Sequence, residues 1–143
     1  MARIAYVNGR YQPYAEAGVH VEDRGFQFAD SVYEVCEVKG GALIDTTRHL
    51  ARLERSLAEL KIAKPMTDRA LRHVLGEVVR RNRVRNGLVY LQVTRGQATR
   101  DFLFPGGEAN PTLVVLARAI DPAKVAAKAQ HGIAVKSIAA ARW

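Results

Sequence analysis

Cysteine is almost missing from this chain of 143 residues: Cys36 stands alone. A single thiol excludes an internal disulfide framework and any metal centre built from several cysteines. Long apolar runs are missing too. None approaches the roughly 20 residues that span a bilayer. The start, Met1-Ala2-Arg3-Ile4-Ala5-Tyr6, lacks the apolar core of an export signal. Hydrophobic residues at 48% and charged residues at 25% exclude a disordered tail, a collagen-like repeat and a coiled-coil rod. The four histidines, His20, His49, His73 and His131, share no metal-ligand spacing, and each fits a surface or helix-face position. The sequence therefore predicts a soluble, cytoplasmic chain with the length of one domain, without a metal centre.

Lysine is scarce as well, with six against sixteen arginines, and 14 acidic residues leave a formal net charge of +8. Such a balance suits a nucleic-acid or membrane-surface partner, and it equally suits arginines on solvated helix faces. The densest cluster, Arg80, Arg81, Arg83 and Arg85, falls at the end of a predicted helix, where cations complement the helix dipole. No aromatic stacking pattern accompanies the charge, so the expectation is no nucleic-acid partner and no membrane partner.

Periodicity orders the chain. Asn8-Gly9 between Ile4-Ala5-Tyr6-Val7 and Arg10-Tyr11-Gln12 predicts a hairpin. Residues Ser31 to Lys39 are rich in β-formers, and Gly40-Gly41 turns them into Ala42-Leu43-Ile44. Asp45-Thr46-Thr47 offers an N-cap to a helix whose stripe is Leu50, Leu53, Leu57 and Leu60. Pro65 stops it. Thr67-Asp68 caps a second helix through Leu71, Val74, Leu75, Val78 and Val79, closed by Asn86-Gly87. Strands are predicted at Leu88–Thr94 and Thr112–Ala117, around a loop from Arg95 to Pro111. The order ββββααββ is α+β: an antiparallel sheet with two helices packed on one face. Residues 1–119 form that small domain, 120–131 read as a linker, and 132–143 as the first strand of a truncated further domain.

Polar residues stand out where structure alone does not require them. Asp23-Arg24-Gly25-Phe26-Gln27-Phe28-Ala29-Asp30-Ser31-Val32-Tyr33-Glu34 is dense in charge, aromatics and small residues. His49-Leu50-Ala51-Arg52-Leu53 sets an arginine early on the first helix. Val93-Thr94-Arg95-Gly96 followed by Arg100 ends a strand in a basic loop. Each has a structural explanation of its own; the combination is what points to a site. Gly106-Gly107 lacks the strand-to-helix context of a phosphate-cradling loop, and Cys36 among apolar strand residues reads as a small buried hydrophobe.

In order and spacing, these three segments resemble the signatures of the class IV (fold type IV) pyridoxal-phosphate aminotransferases. The likeness covers essentially the whole chain and is nearest to the bacterial D-amino acid transaminase branch. It implies the small N-terminal domain of that fold. It also implies a homodimer that moves an amino group between an amino acid, D-enantiomers favoured, and a 2-oxo acid. Arg52 resembles the arginine that binds the phosphate of the cofactor, pyridoxal 5'-phosphate. A guanidinium suits that anion as a permanently charged, bidentate partner. Tyr33 resembles the tyrosine beside the cofactor that helps hold the substrate carboxylate. Arg100 matches the arginine that grips this carboxylate from the neighbouring subunit, and Val35 and Glu37 correspond to side-chain-pocket positions.

There are two departures. Phe102 stands where the D-amino acid branch has a histidine, which leaves room for another acid or amine substrate. The family's Schiff-base lysine follows an Arg-Trp step like Arg142-Trp143 by about six residues, so the resemblance places it beyond Trp143. Lys136 precedes that step and is no substitute. With no lysine in position, transimination has no leaving group and proton transfer no base, so the 143 residues alone are expected to be inactive. Aminodeoxychorismate lyase and branched-chain aminotransferase of the same fold are the alternatives. A non-catalytic interaction module, binding nucleic acid through the Arg69–Arg85 helix, is the reading from another class.

Overall fold

The computed structural model describes residues 3–105 and 109–139; Gly106, Gly107, Arg142 and Trp143 lie outside the described residues. Strands β1 (Ile4–Val7) and β2 (Arg10–Pro13) are joined through Asn8 and Gly9, both at positive φ as a tight hairpin turn requires. After a 3₁₀ turn at Tyr14–Glu16 comes α1 (Arg24–Phe28), a single turn that hydrophobic periodicity did not announce. Its signal is the cap. Asp23 accepts a hydrogen bond from the Gly25 amide at 2.8 Å.

Strand β3 (Ser31–Lys39) turns through Gly40-Gly41 into β4 (Ala42–Leu43). Helix α2 (Thr46–Glu59) and helix α3 (Asp68–Arg81) follow, then β5 (Gly87–Thr94) and β6 (Thr112–Ala119). Thr67 caps α3, accepting from Ala70 N at 3.3 Å. Asp45 precedes α2 but makes no side-chain cap, because its backbone is left-handed at φ 51°.

One six-stranded sheet runs β2-β1-β6-β5-β3-β4, with every neighbouring pair antiparallel. Both long helices cover the same face. Leu50, Leu53 and Leu57 of α2 and Leu71, Val74, Leu75, Val78 and Val79 of α3 join Val32, Val38, Val89, Leu91, Val93, Leu113 and Val115 in one core. The α+β expectation with two helices on one face therefore describes the architecture. The Arg80–Arg81 cluster is spent locally: both guanidinium groups pair with Glu77, at 2.8 and 3.0 Å, and Arg81 also lies over the Tyr11 ring.

Helix α4 (Pro122–His131) occupies the stretch read as a linker, capped by Asp121 and wholly exposed. Ala and Lys are good helix formers, and Pro122 at the first turn is compatible with helix entry. Residues 132–139 carry no regular secondary structure, so the strand expected there is not formed among the described residues. The physical reason is that a strand exists only against a neighbour, and this segment is exposed throughout.

Leu75 is fully buried at the centre of the helix–sheet contact. We predict that Leu75→Ala lowers stability by about 2–5 kcal/mol. Urea denaturation followed by circular dichroism reads this as a shifted midpoint with an unchanged slope.

Candidate active site

Strand β3 separates two kinds of side chain by alternation alone. Val32, Glu34, Cys36 and Val38 point under the helices, and Tyr33, Val35 and Glu37 stand on the opposite, open face. Tyr33 is 64% exposed and stacks on Tyr90 of β5, ring centroids 5.7 Å apart. Tyr90 donates to Gln92 at 2.8 Å, and Gln92 donates to Ser31 at 2.8 Å, a polar row across the same face. Beyond it β3 is nearly an edge: β4 pairs only with Val38 and Lys39. A ligand beside residues 31–37 would meet Tyr33 on one side of the sheet and the start of α2 on the other.

Glu34 is the acid on the wrong face. Its side chain is 2% exposed, among apolar neighbours, where a lone carboxylate is costly. Two side chains of α2, one helical turn apart, answer it. Arg52 donates through Nε and Nη2 to the two carboxylate oxygens, both at 2.6 Å, and His49 Nδ1 lies 2.8 Å from Oε2. Burial pushes the Glu34 carboxyl up, but the hydrogen bonds from Arg52 and His49 outweigh it and hold the group below its ordinary range. The Arg52 side chain is nonetheless 57% exposed, and its Nη1 has no partner among the described residues. The result is a guanidinium held rigidly from behind with one donor nitrogen facing out, an arrangement suited to a phosphate oxygen. Among the described residues, no group of His, Cys, Asp and Glu is placed to hold a metal.

A further carboxylate, Asp30, largely buried with its side chain 9% exposed, stands just before β3. It accepts from Arg24 Nε at 2.9 Å and from Arg95 Nε and Nη2 at 2.7 and 3.1 Å. Arg95 also donates to the Leu60 and Lys61 carbonyls at the C-terminus of α2, where a cation is favoured. Asp23 accepts from Thr94 Oγ1 at 3.0 Å, and a Cβ on Gly25 would run into the Thr94 side chain. The first and third motifs are thus one packed unit. Burial opposes the Asp30 charge, and the hydrogen bonds from Arg95 and Arg24 win, holding the carboxyl low.

The residues anticipated from sequence divide into two groups. Tyr33, Val35 and Glu37 share a face, and Arg52 stands across β3 from them. Arg100 lies in the loop after β5, exposed, its guanidinium 5.4 Å from the Phe28 ring and 5.3 Å from Phe102. No hydrogen bond or ring contact among the described residues joins Arg100 to Tyr33 or Arg52. Sequence reasoning assigned no role to Glu34, His49, Asp30, Arg24 or Arg95. The signal for Glu34 was the alternation itself, which puts an acid between Val32 and Cys36 on the buried face.

The six-stranded antiparallel sheet with its two covering helices matches the fold of the N-terminal domain of class IV aminotransferases. Residues 31–143 match the amino-transferase class IV family, and the chain belongs to it. The D-alanine aminotransferase of Staphylococcus haemolyticus is 33% identical over 138 residues, which are 96% of this chain and 48% of that protein. The chain thus spans about half the length of the curated relatives it matches. The 4-amino-4-deoxychorismate lyase of Pseudomonas aeruginosa superposes with a TM-score of 0.65 at 30% identity, over 80% of this chain and 39% of that one. The branched-chain amino acid aminotransferase of Escherichia coli shares the fold: TM-score 0.77, 18% identity, 84% of this chain and 42% of that one.

Because Glu34 and Asp30 are more acidic folded than unfolded, their contribution to stability is complete above about pH 4 and drains away as the pH falls below it. Thermal melts between about pH 6 and 3 should show this loss, with a shallower acid limb in Glu34→Gln and in Asp30→Asn. The Cys36 thiol is pushed up to about 11, by burial first and the nearby Glu34 charge second. It should therefore resist a disulfide exchange reagent at pH 8 in the native chain and react at once in denaturant.

Proposed function

We propose that this chain is the N-terminal part of a pyridoxal 5'-phosphate-dependent transaminase that exchanges an amino group between an amino acid, D-enantiomers favoured, and a 2-oxo acid. The observation that carries the proposal is Arg52, locked by the buried Glu34 and offering at the edge of β3 an Nη1 that has no partner among the described residues. Membership of the class IV family and the D-alanine aminotransferase relatives support the same reading. Residues 1–119 are the small domain, 120–131 the connection and 132–143 the start of the cofactor domain, all acting in the cytoplasm.

When bound, pyridoxal phosphate supplies the electron sink that makes the substrate Cα–H acidic. The rest is positioning by this chain. Arg52 holds the phosphate as an anion anchor that does not titrate at any working pH. Tyr33, exposed and backed by Tyr90, offers its hydroxyl to the substrate carboxylate. Val35 and Glu37 project from the same face as Tyr33 and form the wall along the substrate side chain. Arg100 grips the carboxylate across the interface of a homodimer; orientation at Cα then decides which enantiomer reacts. The separation of Arg100 from Tyr33 and Arg52 within one chain supports a contribution to the neighbouring active site. Proton transfer at Cα belongs to the lysine that the family resemblance sets beyond Trp143.

A lyase that releases pyruvate from aminodeoxychorismate is the second reading, favoured by the Pseudomonas likeness at 30% identity and by Phe102 in the carboxylate loop. The full-length protein separates the two. Amino exchange between D-alanine and 2-oxoglutarate supports the transaminase; pyruvate from aminodeoxychorismate without exchange rejects it. The 143 residues alone should do neither. In the full-length protein, Arg52→Ala should weaken cofactor binding by about ten- to a hundredfold, titrated by absorbance near 400 nm, consistent with loss of one charged hydrogen-bonding partner. Arg100→Ala should raise the KM for amino donor about tenfold or more.

A further inference from the structure

The loop that carries Arg100 is held in place by residues with no part in the chemistry above. Arg24 is 3% exposed, a buried cation in the first turn of α1. Its Nε donates to Asp30, and its Nη1 donates to the carbonyls of Asp101 at 2.9 Å and Leu103 at 3.3 Å. Asp101 directly follows Arg100. Arg95, at the other foot of the loop, binds the same Asp30 carboxylate through two nitrogens. One largely buried carboxylate therefore ties down both feet of the segment between Gly96 and Phe104.

The span between the feet is a stack of guanidinium groups and rings. Arg24 lies 4.7 Å from the Phe28 ring centroid and 5.7 Å from Phe104, and Arg95 lies 4.5 Å from Phe104. Arg100 is the outermost cation, set between Phe28 and Phe102, whose rings meet edge-on at 6.0 Å. Phe102 and Phe104 are 82% and 71% exposed, so apolar burial does little to fix this loop. The loop has no ladder bonds from residue 98 to 105. Its position rests on the arginine contacts and on the Ala98 amide donating to the Glu22 carbonyl at 3.3 Å.

We propose that Arg24 is a positioning residue for Arg100: a latch, fastened to Asp30, that sets where the carboxylate-binding guanidinium stands. The inference rests on the reading of Arg100 as the substrate-carboxylate ligand. The choice of arginine follows from the geometry. One planar fork reaches a carboxylate and two carbonyls from two separated nitrogens while lying against a ring; an ammonium also has three donors, but on a single nitrogen that cannot span the same acceptors. Arg24→Lys therefore keeps the buried charge beside Asp30 but releases the loop.

Two measurements test the latch. In the full-length holoenzyme, Arg24→Lys should raise the KM for amino donor about tenfold, with kcat within about threefold and the cofactor absorbance unchanged. In the Arg100→Ala background the same substitution should add nothing, because its effect passes through Arg100. An unchanged KM, a parallel fall in kcat, or an effect that is additive with Arg100→Ala overturns the proposal. The second measurement needs no activity. Chymotrypsin should cut the 143-residue chain after Phe102 or Leu103 about tenfold faster in Arg24→Lys, at a temperature well below both melting points. Equal cleavage rates overturn the latch even if the KM has moved. If Arg100→Ala alone leaves the KM unchanged, the carboxylate reading fails and takes the latch's functional role with it. Faster cleavage in that case would leave only a mechanical tether.

Discussion

A carboxylate moved under a β-sheet loses its water, and nothing in a core of leucine and valine replaces it. Glu34 is placed so, and Asp30, largely buried just before β3, shares the need for partners; most of what surrounds the site follows. Each acid obliges nearby elements to supply partners: the cations Arg24 and Arg95 for Asp30, the cation Arg52 and the His49 ring for Glu34. Those cations come from α1, α2 and the end of β5. The two acids thus fasten separate stretches of sequence around the entry to β3.

The net stabilisation from such pairs is modest, because desolvation offsets much of the attraction. Their value is geometric. A bidentate fork at 2.6 Å leaves Arg52 little rotational freedom, so its outward nitrogen is fixed before any anion arrives. Preorganised donors do not spend binding energy on ordering a long side chain. The apolar core does the complementary work: Leu53 and Leu57 press α2 onto the sheet, so the helix that carries Arg52 cannot drift from the strand that carries Glu34.

Elements driven by local periodicity could be read directly from residues. The hairpin at Asn8-Gly9, the alternation of β3 and the leucine stripe of α2 appear as expected, because each depends on neighbours a few positions away. Helix α1 escaped, since five residues carry no period and only the Asp23 cap marks them. Of the strand expected at 132–143, the described residues 132–139 carry no regular secondary structure, since β-propensity does not provide a partner. At the site, Tyr33, Val35, Glu37, Arg52 and Arg100 came from resemblance. The contacts around them came only with the structure: the Arg52–Glu34 fork spans 18 positions, and Arg24 reaches Asp101 across 77. Contacts that distant leave no period in the sequence. Only the inward-facing Glu34 gave a local hint.

The near-edge at β3 has a further bearing on how this polypeptide behaves in solution. At the far side of the sheet, β2 carries Pro13, whose missing amide discourages another strand from pairing. Along residues 31–37 of β3 no proline or bulge does the same, and among the described residues no strand pairs with that edge. Among copies of these 143 residues, long-range repulsion from a net charge of +8 opposes such strand pairing. That repulsion is a property of the buffer as much as of the protein. At ionic strengths where the Debye length shrinks to a few ångströms, the opening beside Tyr33 and Arg52 becomes a place where two molecules can add strand to strand.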